Sequence, residues 1–141
     1  MRILVIHTDY FHCTVTKKGR SKIVEAPVSK TTEVNESLLV LTSVEKSDEA
    51  NPIEVSRRTV EEIATLGHRL KVDRIVLHPF AHLFGQLRTP EVAVKTLQLT
   101  KEGLTQRGFT VTLTPFGWFN TLELKAKGHP LSRISRIITI T

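Results

Sequence analysis

Ser37-Leu38-Leu39-Val40-Leu41-Thr42-Ser43-Val44 decides the fold of this chain. A near-continuous apolar run of this length suits a strand covered on both faces. Glu45 to Ala50 is charged and reads as loop. Asn51-Pro52-Ile53-Glu54 then opens a helix over 52–70. Asn51 is a good N-cap, Pro52 suits the first helical position, and Glu54 stands where a capping box puts its carboxylate. Val60, Ile63, Ala64, Leu66 and Leu70 continue it at mostly helical spacing. Asp73 to Leu77 is a second short strand. Strand, helix and strand predict a right-handed βαβ unit with parallel, neighbouring strands. Val44-Glu45-Lys46 and Pro79-Phe80-Ala81-His82 then emerge side by side. Open α/β sheets place their ligand crevices at such an edge.

Outward from this unit, residues 2–8 read as a first strand. Residues 11–17 read as another, with Phe11, Cys13 and Val15 alternating against polar neighbours. Residues 18–36 are rich in Lys, Ser, Thr and Glu, and read as an exposed connection. A second helix starts at Thr89-Pro90-Glu91 by the logic of the first. It runs through Val94, Leu97 and Leu104 and stops near Gly108. Residues 109–113 and 119–126 are strands, and Ile134 to Ile140 has β character. No repeat, linker or low-complexity tract divides the chain, so residues 1–141 read as a single α/β domain.

The 141 residues include 40% hydrophobic and 24% charged side chains, as in a soluble globular domain. No apolar run approaches the roughly 18 residues of a membrane helix, so no membrane partner is expected. Met1 to Ile6 is too short, and lacks the cleavage pattern, for a signal peptide. The lone Cys13 argues for a reducing cytoplasm. A net charge of +6 and a pI near 9.8 tilt the partner towards nucleic acid. The RNA-recognition-motif, zinc-finger and KH signatures are all missing.

Three turns join proline or glycine to an aromatic or a histidine where an apolar run ends: Pro79-Phe80-Ala81-His82, Pro115-Phe116-Gly117 and Lys127-Gly128-His129-Pro130-Leu131. Rigid loop ends of this kind present backbone polar groups to ligands. His82 is the best single side chain, against a plain reading as a turn histidine. His78 and His82 stand four apart, but Pro79 opposes a helical metal pair, and no metal or other cofactor is expected. Nucleophile-elbow, Walker and dinucleotide fingerprints are missing. Cys13 reads as a small core residue, Glu45-Lys46 as a solvated pair rather than an acid/base couple. Of Phe116, Trp118 and Phe119, two read as core, and any of them as a pocket wall.

The chain resembles the N-terminal editing domain of archaeal-type threonyl-tRNA synthetases, relatives of the D-aminoacyl-tRNA deacylases. The resemblance rests on Ile6-His7-Thr8-Asp9-Tyr10, Ser43-Val44-Glu45-Lys46, Pro79-Phe80-Ala81-His82-Leu83 and Arg107-Gly108-Phe109. The turns at Pro115-Phe116-Gly117 and Lys127 to Leu131, and Ser135-Arg136, complete it. It implies a D-aminoacyl-tRNA deacylase-like α/β fold, a mixed sheet with two main helices. It implies a proofreading hydrolase that removes L-serine from threonine tRNA, with D-amino-acid esters or tRNA binding without catalysis as alternatives. The implied partners are the serine-bearing tRNA(Thr) acceptor end, a second copy of the chain in a homodimer, and a synthetic core in cis or in trans. The implied site comprises Val44, Glu45, Pro79, Phe80, Ala81, His82, Phe116, Gly117, Phe119 and Asn120, with Gly128, His129 and Pro130 as a turn near it.

Three positions, in two places, depart from the family pattern. Phe119-Asn120 stand where members carry tyrosine and lysine, and Arg133 stands where some carry glutamate. None of the three can act as a general base at neutral pH. No side-chain base is therefore assigned, and His82 and Asn120 are positioning candidates. The family's proposed mechanism instead uses the 2'-hydroxyl of the terminal adenosine. Editing itself follows from chemistry: a synthetic pocket rejects a substrate one methylene smaller by only about 1–3 kcal/mol. A second, serine-sized site supplies the rest.

Overall fold

A computed structural model describes residues 1–27, 29–81, 83 and 89–140. Strand β1 (Arg2–Lys18) organises the sheet. β2 (Thr31–Val34), β3 (Ser37–Ser43), β6 (Trp118–Asn120), β7 (Glu123–Ala126) and β8 (Arg133–Ile137) all pair with it antiparallel. β3, β4 (Arg74–Pro79) and β5 (Thr110–Leu113) are parallel neighbours. Helix α1 (Pro52–Leu70) makes the crossover from β3 to β4, and α2 (Pro90–Gln106) that from β4 to β5. The mixed sheet, two helices and βαβ unit are those the sequence implies.

All of β3 is buried. Leu38 and Val40 pack with Ile75, Leu77, Val55, Ile63, Leu97 and Leu104 on the helical side. Leu39 and Leu41 pack with Val76, Phe11 and Cys13 on the other. Alternation thus sends the neighbours Leu38 to Leu41 into two cores, and none of these four positions is left for a polar residue. Each such Leu or Ile contributes about 1.5–3 kcal/mol by leaving water.

Several expectations need correction. Residues 2–8 and 11–17 are halves of one strand, with an irregularity in its β7 pairing between Thr8 and Tyr10. The second half carries Phe11 and Cys13 back over the sheet, which curls it. Residues 119–126 are two strands, separated at Thr121-Leu122. Residues 46–50, read as loop, form a 3-10 turn. Asn51 caps α1, accepting from Glu54 N–H at 3.1 Å. The Glu54 carboxylate, however, turns to Arg57 and Arg58 instead of closing a capping box, and these guanidiniums pull its pKa down to about 2.

The segment after β1 is not a loose connection. Gly19 N–H donates to Gly117 C=O (2.7 Å), and Glu25 N–H to Phe116 C=O (3.0 Å). Phe116 N–H and the Trp118 indole donate in return to the Glu25 side chain and carbonyl, at 2.9 and 2.6 Å. Residues 19–25 are thereby fastened to a turn more than ninety positions away.

Candidate active site

β3 and β4 end together. Thr42 pairs with Pro79, Phe80 N–H donates to Thr42 C=O at 2.8 Å, and the Ser43 hydroxyl donates to Phe80 C=O. Beyond these ends opens a cavity of about 430 Å³, within the usual size range of small-molecule sites. One wall is Val44 with Pro79, Phe80 and Ala81. The facing wall is Phe116, Gly117, Trp118, Phe119 and Asn120, and a third side is Gly19, Arg20 and Ser21. Ala93 and Leu97 of α2 contribute as well.

Gly117 makes the facing wall possible. Its φ is +89°, and a Cβ there would stand 2.5 Å from Ile23 C=O and 3.0 Å from Val24 Cα. Only glycine takes this conformation at this separation. Asn120 adds one contact, a 3.4 Å hydrogen bond from its amide to Trp118 C=O. Of the three aromatics, none is fully buried, which corrects the reading of two as core. Phe116 packs at the core margin, Trp118 is half-buried and Phe119 is 60% exposed.

Among the described lining residues the only ionisable side chains are Arg20 and His78; carboxylates, lysines and thiols are absent. His78 is 3% exposed, its Nδ1 bonded to Thr114 Oγ1 at 2.8 Å. Burial lowers its pKa to about 4, so the ring is neutral at pH 7. Sequence reasoning weighed His78 only as half of a metal pair. The surrounding strand residues are apolar, and a histidine one position before Pro79 was the signal available. Arg20 was missed too, since its segment shows no periodicity.

The structure brings Val44, Pro79, Phe80, Ala81, Phe116, Gly117, Phe119 and Asn120 to one cavity. His82 lies outside the described residues. Glu45 stands beside the cavity but turns away, to Arg2 at 3.1 Å and the Met1 amino group at 3.8 Å. Gly128, His129 and Pro130 are not in its lining. That turn packs on His7, which pairs with Leu38, five residues from Ser43 along β3. At about 3.3 Å per residue the two places are about 17 Å apart within the chain.

The turn closes a polar network instead. His129 Nδ1 accepts Leu131 N–H at 3.2 Å, so its proton sits on Nε2. Nε2–H donates to His7 Nδ1 at 2.8 Å, and His7 Nε2–H donates to Glu36 at 2.9 Å. Lys127 bonds Asp9 at 2.5 Å and lies 3.7 Å from Glu36. The lysine holds the Asp9 carboxyl below its ordinary range. Among the described residues no three His, Cys, Asp or Glu side chains are placed to hold a metal.

Comparison with known proteins bears on the whole chain. A family model described as the archaea-specific editing domain of threonyl-tRNA synthetase matches residues 1–138. The threonine–tRNA ligase of Methanobrevibacter smithii is 42% identical over 141 residues, covering 99% of this chain and 23% of that protein. That of Methanopyrus kandleri is 42% identical over 139 residues, covering 99% and 22%. The chain thus spans less than a quarter of the length of these relatives. A solved structure of a probable eukaryotic D-amino acid tRNA deacylase matches with a TM-score of 0.51 at 13% identity, covering 96% of this chain and 98% of that one. At this identity the likeness is one of fold. The family match and the two relatives settle the lineage: the chain belongs to the archaea-specific editing domains of threonyl-tRNA synthetase.

Proposed function

We propose that this editing domain, an aminoacyl-tRNA hydrolase by family, removes L-serine from mischarged threonine tRNA in the cytoplasm. The observation that carries the reading is the cavity at the ends of β3 and β4. Its walls are short and stiff, and among its described lining residues no side chain is suited to be a general base at pH 7. The Pro79-Phe80-Ala81 turn and the Phe116 ring form a mould in which one methyl decides entry. Threonine is excluded there by its extra methyl, and serine fits.

The reaction adds a water oxygen to the ester carbonyl carbon. The bond from that carbon to the ribose 3' oxygen then breaks, a proton passes to that oxygen, and free serine leaves. The neighbouring 2'-hydroxyl of the terminal adenosine orients or activates the water. The protein supplies position and backbone dipoles, the two contributions that need no titrating side chain. The domain works as a homodimer, beside a synthetic core in cis or in trans.

The test is seryl-tRNA(Thr) lacking the terminal 2'-hydroxyl. Hydrolysis is expected to stop, and continued turnover at the normal rate would refute the assisted mechanism. The fold likeness to a D-amino acid tRNA deacylase favours one second reading, action on D-amino-acid esters. D-seryl, L-seryl and L-threonyl esters on one tRNA separate the two. Faster cleavage of the D-seryl ester would replace the L-serine reading.

A further inference from the structure

We infer that Lys17-Lys18-Gly19-Arg20-Ser21-Lys22, the end of β1 and the rim beyond it, binds the phosphates of the tRNA 3' strand as that strand leaves the cavity. The inference rests on the proposed function for the occupant of the cavity. It concerns a surface, however, that the cavity's chemistry does not explain.

Charge distribution is the first argument. The chain carries 20 basic and 14 acidic residues. Four of the basic ones fall in this hexapeptide, which has no carboxylate, so six residues hold most of the net +6. The other sixteen cations nearly balance the fourteen anions. Several of them are paired: Arg57 and Arg58 with Glu54, Arg107 with Glu61, Lys127 with Asp9, Arg136 with Glu62. Lys17, Lys18, Arg20 and Lys22 are all exposed. Glu25, the nearest carboxylate in sequence, is turned away to Phe116 N–H.

Placement is the second. Lys17 stands opposite Phe119, and Lys18 opposite Trp118, across the β1–β6 ladder. Arg20 lines the cavity itself. Gly19 is fastened to Gly117, and a Cβ there would come within 2.7 Å of Gly117 C=O. The row of cations is therefore held at a fixed distance from the pocket. An ester seated in the pocket drags its own phosphodiester chain over this rim. Lysines and an arginine with no ion-pair partner among the described residues, on a fixed backbone, suit phosphate oxygens, which they bind with release of counterions.

The experiment measures binding of uncharged tRNA(Thr) as a function of salt. Lys17→Gln/Lys18→Gln/Lys22→Gln is compared with Arg69→Gln/Lys95→Gln/Lys101→Gln, which removes equal charge from the two helices. The rim variant is expected to weaken binding at least about tenfold at low salt and to reduce the log–log salt slope by about 2. The helix variant is expected to stay within about twofold of the parent. Lys→Arg replacements at the three rim positions should restore the affinity. An unchanged affinity and slope in the rim variant would overturn the inference and assign the row to another anionic surface. Hydrolysis is then compared on seryl-tRNA(Thr) and on L-serine esterified to adenosine, which carries no phosphate. A loss confined to the tRNA supports a phosphate site; an equal loss on both means a distorted cavity and overturns it. If the parent chain cleaves neither ester, the serine reading fails, and the binding measurement still decides the rim.

Discussion

The two ends of β3 hold two glycine-bearing turns with opposite fates. At the C-terminal end, Pro115-Phe116-Gly117 bounds a cavity and is fixed from behind by Gly19, Ile23 and Glu25. At the other, Gly128-His129-Pro130 sits in a network where His129, His7, Glu36, Lys127 and Asp9 satisfy one another. A stiff turn alone does not make a site. In the cavity turn the Phe116 N–H and C=O and the Gly117 C=O are tied to residues 19–25, and Phe116 and Gly117 line the pocket. The network turn has taken up its polar groups locally.

The glycines give the sharpest way to break this comparison. Gly117→Ala forces a Cβ against backbone at Ile23 and Val24, at a φ of +89°. The wall must shift, and serine-ester hydrolysis is expected to fall roughly 100-fold, as for a displacement of about 1 Å. Thermal unfolding should show a loss of about 1–3 kcal/mol. Gly128 has nothing within 4 Å of its Cβ position and no positive φ. Gly128→Ala should keep its melting temperature within about a degree of the parent. Equal effects of the two would erase the distinction.

His78 separates the cavity end by pH. Its native pKa is about 4 and its ordinary value 6.5. Between those values the unfolded chain binds a proton that the native chain refuses. Stability is therefore full above pH 6.5 and falls as pH drops towards 4, by up to about 3 kcal/mol. His78→Gln cannot titrate, so its urea midpoint should fall less than the parent's between pH 7 and pH 4.5. Parallel losses in the two proteins would mean that His78 is not the group responsible.

How much of this was legible before the structure depends on contact range. β3, α1 and β4 were readable because each carries its apolar pattern within a few residues, and both crossed at the expected edge. The continuity of β1 was not, because Thr8-Asp9-Tyr10 interrupts the alternation. Asp9 is held by Lys127, 118 positions away. Residues 19–25 were invisible as a wall for the same reason: backbone groups and one glutamate dock them, and neither leaves a period in the sequence. Pro79, Ala81 and Phe116 were placed at strand ends because the apolar runs stop close to them, although β4 runs on to Pro79, two residues past the expected Leu77. Gly128-His129-Pro130 carried the same local signature, and only the register of β1 on β3 shows that it stands elsewhere.

The size of the cavity can be tested at Ala81, on the wall that follows β4. Ala81→Val adds two methyl groups in the space assigned to the serine side chain. Hydrolysis of the L-seryl ester is expected to fall about 10- to 100-fold, with unfolding unchanged because the residue is exposed. The matching loss on a glycyl ester should be smaller, since glycine needs less room. Equal losses on both esters would mean that Ala81 does not measure side-chain size.

The smallest effect is expected at Asn120, and it is the most informative about mechanism. Asn120 lines the cavity, yet among the described residues its amide bonds only its own strand, to Trp118 C=O at 3.4 Å. A bond that long contributes at most about 0.5 kcal/mol. An amide is also no base at neutral pH, so no proton transfer is lost with it. Asn120→Ala should therefore keep serine-ester hydrolysis within about threefold, with an unaltered pH profile. The same variant on the 2'-deoxy substrate should be as inactive as the parent, because the assisting hydroxyl is missing in both. A several-hundred-fold loss on the natural ester would place Asn120 against the reacting atoms. It would then be a side chain, and not the RNA, that distinguishes this end of β3 from the other.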